Sequence, residues 1–249
     1  GTFFNQDMGV ARDLVSQIAK AGAPIIKGEI LHDPSIALKC DTLENYLAND
    51  GSVIEEKISD VIERKIIPLE RYEALFDFCK SLHLEFVVSV YDKKGADFAY
   101  DIGASALKIA SSNIVHQPLI TYVAQHELPM IIDTGKSTFE EIVRAVQWAK
   151  DAGGKMILIQ HSPPAPPAPI NQQNLGFLNV LERSFGCPVG LSDHHYGEEM
   201  LFAAIALGAN CVEKGIIPDN LECEQDGFHA LKIGEFEAVF KKCMNIAEA

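Results

Sequence analysis

"PMIIDTGKSTFEEIVRAVQWAKDAGGKMILIQH", residues 129–161, holds the pattern that decides the fold. Its two ends, "PMIIDT" (129–134) and "MILIQH" (156–161), are short continuous apolar runs, as strands buried on both faces are. Between them Phe139, Ile142, Val143, Val146 and Ala149 recur on one helical face, and Gly153–Gly154 closes the segment. A strand, a helix and a second strand joined in this way make a right-handed βαβ unit, with the two strands parallel in one sheet.

The unit repeats in both directions along the chain. "APIIKGEI" (23–30), "EFVVSV" (85–90), "ALKIAS" (106–111), "PVGLSD" (188–193) and "CVEKGI" (211–216) bring the expected strands to seven. Helical spacing is read in "ARDLVSQIAKAGA" (11–23), "TLENYLAND" (42–50), "PLERYEALFDFCKSLH" (68–83) and "EEMLFAAIALGA" (198–209). Strict alternation predicts an α/β fold, a (β/α)8 TIM-type barrel in one domain over residues 1–249. The helix at 11–23 needs a strand before it, so the first barrel strand is expected upstream of Gly1. "SPPAPPAPINQQN" (162–174), with five prolines straight after a strand, reads as a semi-rigid loop over the barrel mouth.

With 249 residues and 47% hydrophobic content, the chain can bury a large core. The net charge of −14 argues against a nucleic-acid or anionic-membrane surface, which needs clustered Lys and Arg. Six cysteines without CxxC spacing fit a reduced setting, and no apolar run is long enough for a membrane helix, so a cytoplasmic location is expected. "TGKS" (134–137) looks like the tail of a phosphate loop, but the required earlier glycine is Met130.

In parallel barrels ligands bind at the strands' C-terminal ends, so the polar residues closing each strand carry the information. They include Lys27 and Glu29, Ser89, Lys108 with Ser111 and Asn113, Asp133, His161, Ser192 with Asp193 and His194, and Glu213 with Lys214. The lysines either form structural ion pairs with Glu29, Asp133 or Glu213, or neutralise a small polyanion to which Ser111 and Ser192 add hydroxyl donors. His194 and His195 point to opposite faces and cannot share an ion; one alone is a hydrogen-bonding core residue or a single metal ligand.

The order "KGE", "LKIASSN", "IIDTGKS", "GLSDHH", "ALGANCVEKG" resembles the N-acetylneuraminate (sialic acid) synthase family, with its spore-coat polysaccharide synthase relatives. That family shows "KFQ"-like, "KIGSGE", "STGM", "GLSDHT" and "ALGAxxIEKHF" segments in the same order. The resemblance implies condensation of phosphoenolpyruvate with an N-acylated amino sugar, releasing phosphate, in surface polysaccharide biosynthesis. By position it implies a catalytic set of Lys27, Glu29, Lys108 and Asp226, with substrate contacts from Ser89, Ser111, Asn113, Asp133, Ser192 and Lys214. His194 would be one ligand of a divalent metal, Mn or Mg.

Departures from the family pattern qualify these expectations. The second metal histidine is Gly215 here, so metal binding is expected to be weak or absent, and a histidine restored there should strengthen it. His161, His229, Asp193 and Asp226 are the candidates to replace the lost ligand. The serine of "STGM" is Asp133, a negative charge that nearby Lys136 could neutralise. No segment matching the family's C-terminal antifreeze-like domain is expected after the last helix. The expected partners are small-molecule substrates, with neither nucleic acid nor membrane, and a homodimer is allowed. Two other readings stand beside the synthase: a different carbon–carbon bond reaction on the same barrel, and a non-catalytic relative that binds a sugar or a partner.

Overall fold

A computed structural model describes residues 2–36, 41–48, 50–163, 167–220 and 226–249. In chain order the helices and strands are α1 (Met8–Lys20), β1 (Ile25–Glu29), β2 (Leu43–Leu47), β3 (Val53–Lys57), α2 (Ile58–Lys65), α3 (Leu69–Ser81), β4 (Glu85–Val90), α4 (Lys93–Asp101), β5 (Ala106–Ile109) and α5 (Gln117–Ala124). They continue with β6 (Met130–Asp133), α6 (Phe139–Asp151), β7 (Ile157–His161), α7 (Phe177–Phe185), β8 (Val189–Asp193), α8 (Glu199–Ala206), β9 (Cys211–Lys214), β10 (Ile216–Ile217), β11 (Leu231–Lys232) and α9 (Ile233–Ala247).

Seven strands form one parallel sheet in the order β1-β4-β5-β6-β7-β8-β9. In a flat sheet its two edge strands would stand roughly 29 Å apart at the usual strand spacing. Instead Lys27 of β1 reaches Glu213 of β9 at 3.3 Å, so the sheet is curled until its edges face each other. The expected eighth strand, placed ahead of Gly1, lies outside the described residues.

Side chains alternate across each strand, and the curl gives the two faces different surroundings. Val88, Leu107, Ile132, Ile159 and Leu191 point outward and are fully buried against helix residues such as Leu119, Ile142 and Leu178. Val87, Ala106, Ile131 and Leu158 point inward and form a separate apolar layer. Two residues further along the same strands the inward positions become polar: Ser89, Lys108, Asp133 and Gln160. The strands therefore read as continuous apolar runs that end in chemistry.

Helix α6 starts where the sequence signals it. The Thr138 hydroxyl accepts from the Glu141 N–H while the Glu141 carboxylate accepts from the Thr138 N–H, a reciprocal cap. The helix expected in "TLENYLAND" is corrected: residues 43–47 are strand β2, paired antiparallel with β3. Leu43, Tyr46 and Leu47 mimic a helical stripe, but Asp50 and Gly51 make a turn, with the Asp50 carboxylate accepting the Ser52 N–H and Gly51 at φ +82°. The expected strand 211–216 also divides, since Ile216–Ile217 leaves the main sheet to pair with β11. Cys79, Cys187, Cys211 and Cys243 are free thiols, whereas Cys40 and Cys223 lie outside the described residues. Among the described residues no helix is long and apolar enough to cross a membrane.

Candidate active site

The polar inward positions form one ionic chain across the mouth of the curled sheet. Lys27 Nζ donates to Glu29 Oε1 at 3.0 Å and lies 3.3 Å from Glu213 Oε1. Lys108 Nζ is 2.8 Å from Glu213 Oε2 and 2.8 Å from Asp133 Oδ2. One carboxylate, Glu213, thus holds two ammonium groups that arrive from strands β1 and β5. Both readings of the lysines are visible at once: they are ion-paired, and they converge.

The charges explain how buried lysines stay ionised. Burial alone would lower the Lys27 ammonium, but Glu213 and Glu29 outweigh it and hold Lys27 well above its ordinary value. Lys108 is raised by the same contest, burial opposed by Asp133 and Glu213. Lys27 in turn holds the Glu29 carboxyl down at about 2. Burial raises Glu213, but the two lysines prevail and keep it far below the carboxylate range. With Glu29, Glu213 and Asp133 against Lys27 and Lys108, the cluster carries one net negative charge.

Around this chain stand groups with unused hydrogen-bonding capacity. Ser89 Oγ, Asn113 Nδ2, Asp133 Oδ1 and Gln160 Oε1 are buried with no partner. Such orphans are costly in a core and mark places where a ligand completes the bonding. Ser192 is buried beside Glu213 in register. Ser111 follows β5 and its hydroxyl crowds Gly135: a Cβ there would sit 3.0 Å from Ser111 Oγ and 3.2 Å from Ser162 Oγ, so only glycine lets the loops after β5, β6 and β7 meet. Lys136 is exposed at φ +56° in that loop, and the partner of Asp133 is Lys108, not Lys136.

Asp226 sits at φ +71°, directly before the short turn Gly227–His229. Burial raises its carboxyl, against the fields of Lys65, His194 and Lys27. Lys214, expected to touch substrate, is ion-paired in this structure. Its neighbour Glu213 takes the inward position, so Lys214 faces the other way, donating to Asp193 Oδ2 at 2.8 Å and to the His195 carbonyl. It anchors the turn that carries His194. His161 likewise turns from the mouth, its Nε2 2.7 Å from the Gln173 carbonyl. The proline-rich loop is tied to the same turn, because the Ala168 N–H donates to the His194 carbonyl at 2.9 Å; residues 164–166 lie outside the described residues.

Sequence reasoning missed two residues of the site. Tyr91 stands directly after β4, and burial together with the charge of Glu29 pushes its phenol well above the ordinary value. Its position one residue past a strand end was the available signal. Phe3 was the other. Its ring covers Gly215, where a Cβ would lie 2.5 Å from the Phe3 Cζ. A histidine introduced at this position, where the family pattern has its second metal histidine, meets that ring unless the ring shifts. The imidazole that does face His194 is His229, with ring centroids 5.2 Å apart and planes at 84°. Burial holds His229 at about 3, so the ring is neutral. Among the described residues no three His, Cys, Asp or Glu side chains form a group able to hold an ion.

These features define a class: a curled parallel α/β sheet, TIM-like in its neighbours, with its polar site at the C-terminal ends of the strands. The chain belongs to the NeuB family, whose model matches residues 14–249. It is 30% identical over 203 residues to the spore coat polysaccharide biosynthesis protein SpsE of Bacillus subtilis, covering 81% of this chain and 53% of that one. It is 26% identical over 223 residues to the N,N'-diacetyllegionaminic acid synthase of Legionella pneumophila, covering 88% of this chain and 62% of that one. The chain thus spans between half and two thirds of these relatives. In fold it matches the N-acetylneuraminic acid (sialic acid) synthetase of Leptospira borgpetersenii, with a TM-score of 0.87 at 21% identity over 100% of this chain and 81% of that one.

Proposed function

We propose that this chain is the barrel of a nonulosonate synthase, closed as a (β/α)8 unit, that joins phosphoenolpyruvate to an N-acylated amino sugar and releases phosphate. The observation that carries the reading is the convergence of Lys27 and Lys108 on Glu213. Two ammonium groups brought to one carboxylate from different strands form a seat for a small polyanion, which would take over their hydrogen bonds from Glu213 and Asp133. Ser89, Ser111, Asn113 and Ser192 supply further hydrogen-bonding groups at the same mouth.

In this reading Lys27 and Lys108 hold the anionic ends of the donor, and Asp226 meets the acceptor sugar. Carbon 3 of the enol attacks the aldehyde carbon, water adds at carbon 2, and inorganic phosphate leaves. Glu29, which accepts a hydrogen bond from Lys27, fixes the ammonium against the donor. A divalent ion at His194 would polarise the aldehyde oxygen. The test is direct: incubate the protein with phosphoenolpyruvate, Mn²⁺ and a panel of N-acyl amino sugars, and measure phosphate. Release that depends on both the sugar and Lys108 supports the reading. No release with any sugar, while phosphoenolpyruvate binds unchanged to Lys108→Ala, overturns it.

A further inference from the structure

We propose that Asp133 and Gln160 hold one water molecule between them, and that this is the water that adds at carbon 2 of the donor, with Asp133 taking its proton. The water site rests on the structure alone; the step assigned to it rests on the condensation proposed above. The family pattern has a serine at position 133, so the carboxylate is this chain's own.

The first support is a pair of buried acceptors. Asp133 Oδ1 and Gln160 Oε1 have no hydrogen-bond partner, in residues 5% and 0% exposed. Only the other oxygen of Asp133 is satisfied, with Lys108 Nζ 2.8 Å from Oδ2. The Gln160 amide cannot present its NH2 instead, because Nε2 donates to the Leu191 carbonyl at 3.3 Å and a flip would set two oxygens against each other. A buried acceptor without a donor costs stability, so two of them side by side point to a donor that belongs there.

The second support is placement. Asp133 and Gln160 are partners in register on the parallel strands β6 and β7, so their side chains rise from neighbouring strands on the same inward face. The strands are clasped at that level, the Gln160 carbonyl accepting from the Thr134 N–H at 3.0 Å and from the Thr134 hydroxyl at 3.2 Å. Beneath lie Ile131 and Leu158 of the apolar layer, which offer no competing side-chain donor. An ionised carboxylate and an amide oxygen only accept. Water, with two protons, serves both at once, whereas a sugar hydroxyl, with one, serves only one of them. A ligand ammonium would meet the positive charge of Lys108 on the same carboxylate.

The third support is nearness to the donor's seat, since Lys108, which holds the donor in the proposed reaction, is paired with the other oxygen of the same carboxylate. Bond formation between carbon 3 of the enol and the aldehyde carbon leaves the aldehyde oxygen as an alkoxide and carbon 2 electron-poor. The water oxygen then bonds to carbon 2; one of its protons passes to Asp133 Oδ1 and the other stays on the new hydroxyl. The proton on Asp133 goes on to neutralise the alkoxide. When the bond from carbon 2 to the phosphate oxygen breaks, the hydroxyl proton leaves with the phosphate and a ketone remains, so no further reactant is needed. Gln160 takes no proton; it orients the water.

The experiment has a structural arm and a kinetic one. A crystal structure of the unsubstituted chain, at a resolution that shows ordered water, should place one water within hydrogen-bond distance of both Asp133 Oδ1 and Gln160 Oε1. Asp133→Asn, which keeps the side chain's shape, should lower kcat for phosphate release at least about a hundredfold, the low end of general-base catalysis, without weakening phosphoenolpyruvate binding in calorimetry. In Asp133→Ala, added formate should restore part of the lost rate, because it returns a carboxylate; a loss of structure would not be rescued in this way. No water on the two acceptors overturns the proposal. Sugar-dependent phosphate release that persists in Asp133→Asn at about the original rate overturns it too, and keeps the synthase reading. Water in place but no phosphate from any sugar sinks the synthase reading and the step with it, and leaves the water site standing.

Discussion

Lys27 and Glu213 stand on the two outermost strands of a seven-stranded sheet, yet their side chains lie 3.3 Å apart. The sheet's curl and the site's charge balance meet in that one pair, since Glu213 also holds Lys108 at 2.8 Å. Glu213→Gln should leave the two ammonium groups short of a counter-charge, and unfolding free energy should fall by about 3 kcal/mol. Urea denaturation measures it; a change below roughly 0.5 kcal/mol would mean that the pairs behave as exposed ones do.

Asp133 makes the cluster net negative, which opposes an anionic donor. Asp133→Ser frees Lys108 and should tighten phosphoenolpyruvate binding roughly tenfold. Lys108→Ala should weaken it by about 1.5–3 kcal/mol, the loss of a charge-assisted hydrogen bond. Titration calorimetry on both variants gives opposite signs if the lysines hold the donor.

Stability should depend on acid through Glu29. Its folded value, near 2, lies below its unfolded one, so the unfolded chain takes up the proton first as pH falls. The stabilisation is fully present above about pH 4.5, the ordinary range for a glutamate, and is lost as pH drops toward 2. Denaturation midpoints measured across that window should fall less steeply for Glu29→Gln than for the unsubstituted protein.

Gly215→His alone should not restore a family-type metal site, because the new Cβ meets the Phe3 ring. The single variant should lower the melting temperature by several degrees, the shift that about 1 kcal/mol of crowding gives in a domain of this size. Phe3→Ala combined with Gly215→His should recover it and bind Mn²⁺ more tightly than either single change. Calorimetric melting with and without Mn²⁺ separates these outcomes.

The strands were legible because their outward residues pack under helices while inward ones form a second apolar layer, which leaves runs such as "MIID" with no polar face to confuse the period. Lys108 and Asp133 stood out for the same reason: charge inside such a run has few explanations. The hairpin at 43–57 was misread because Leu43, Tyr46 and Leu47 fit a helical stripe and the turn signal at Asp50–Gly51 was weighed too lightly. The bridging role of Glu213 was hidden, since its partner Lys27 lies 186 residues away and meets it only once the sheet curls. Phe3 and His229 belong to segments outside the repeating units, where periodicity says nothing about what a ring will touch.

Val87, Ala106, Ile131 and Leu158 give the chamber an apolar bottom beneath Ser89, Lys108, Asp133 and Gln160. A cul-de-sac imposes a queue. Whatever docks on the lysines must arrive before a bulkier molecule settles above it, and the deeper product leaves last. The proposed condensation should therefore show compulsory-order kinetics, with the small anion first and the sugar second. Raising the sugar concentration should trap bound phosphoenolpyruvate rather than compete with it.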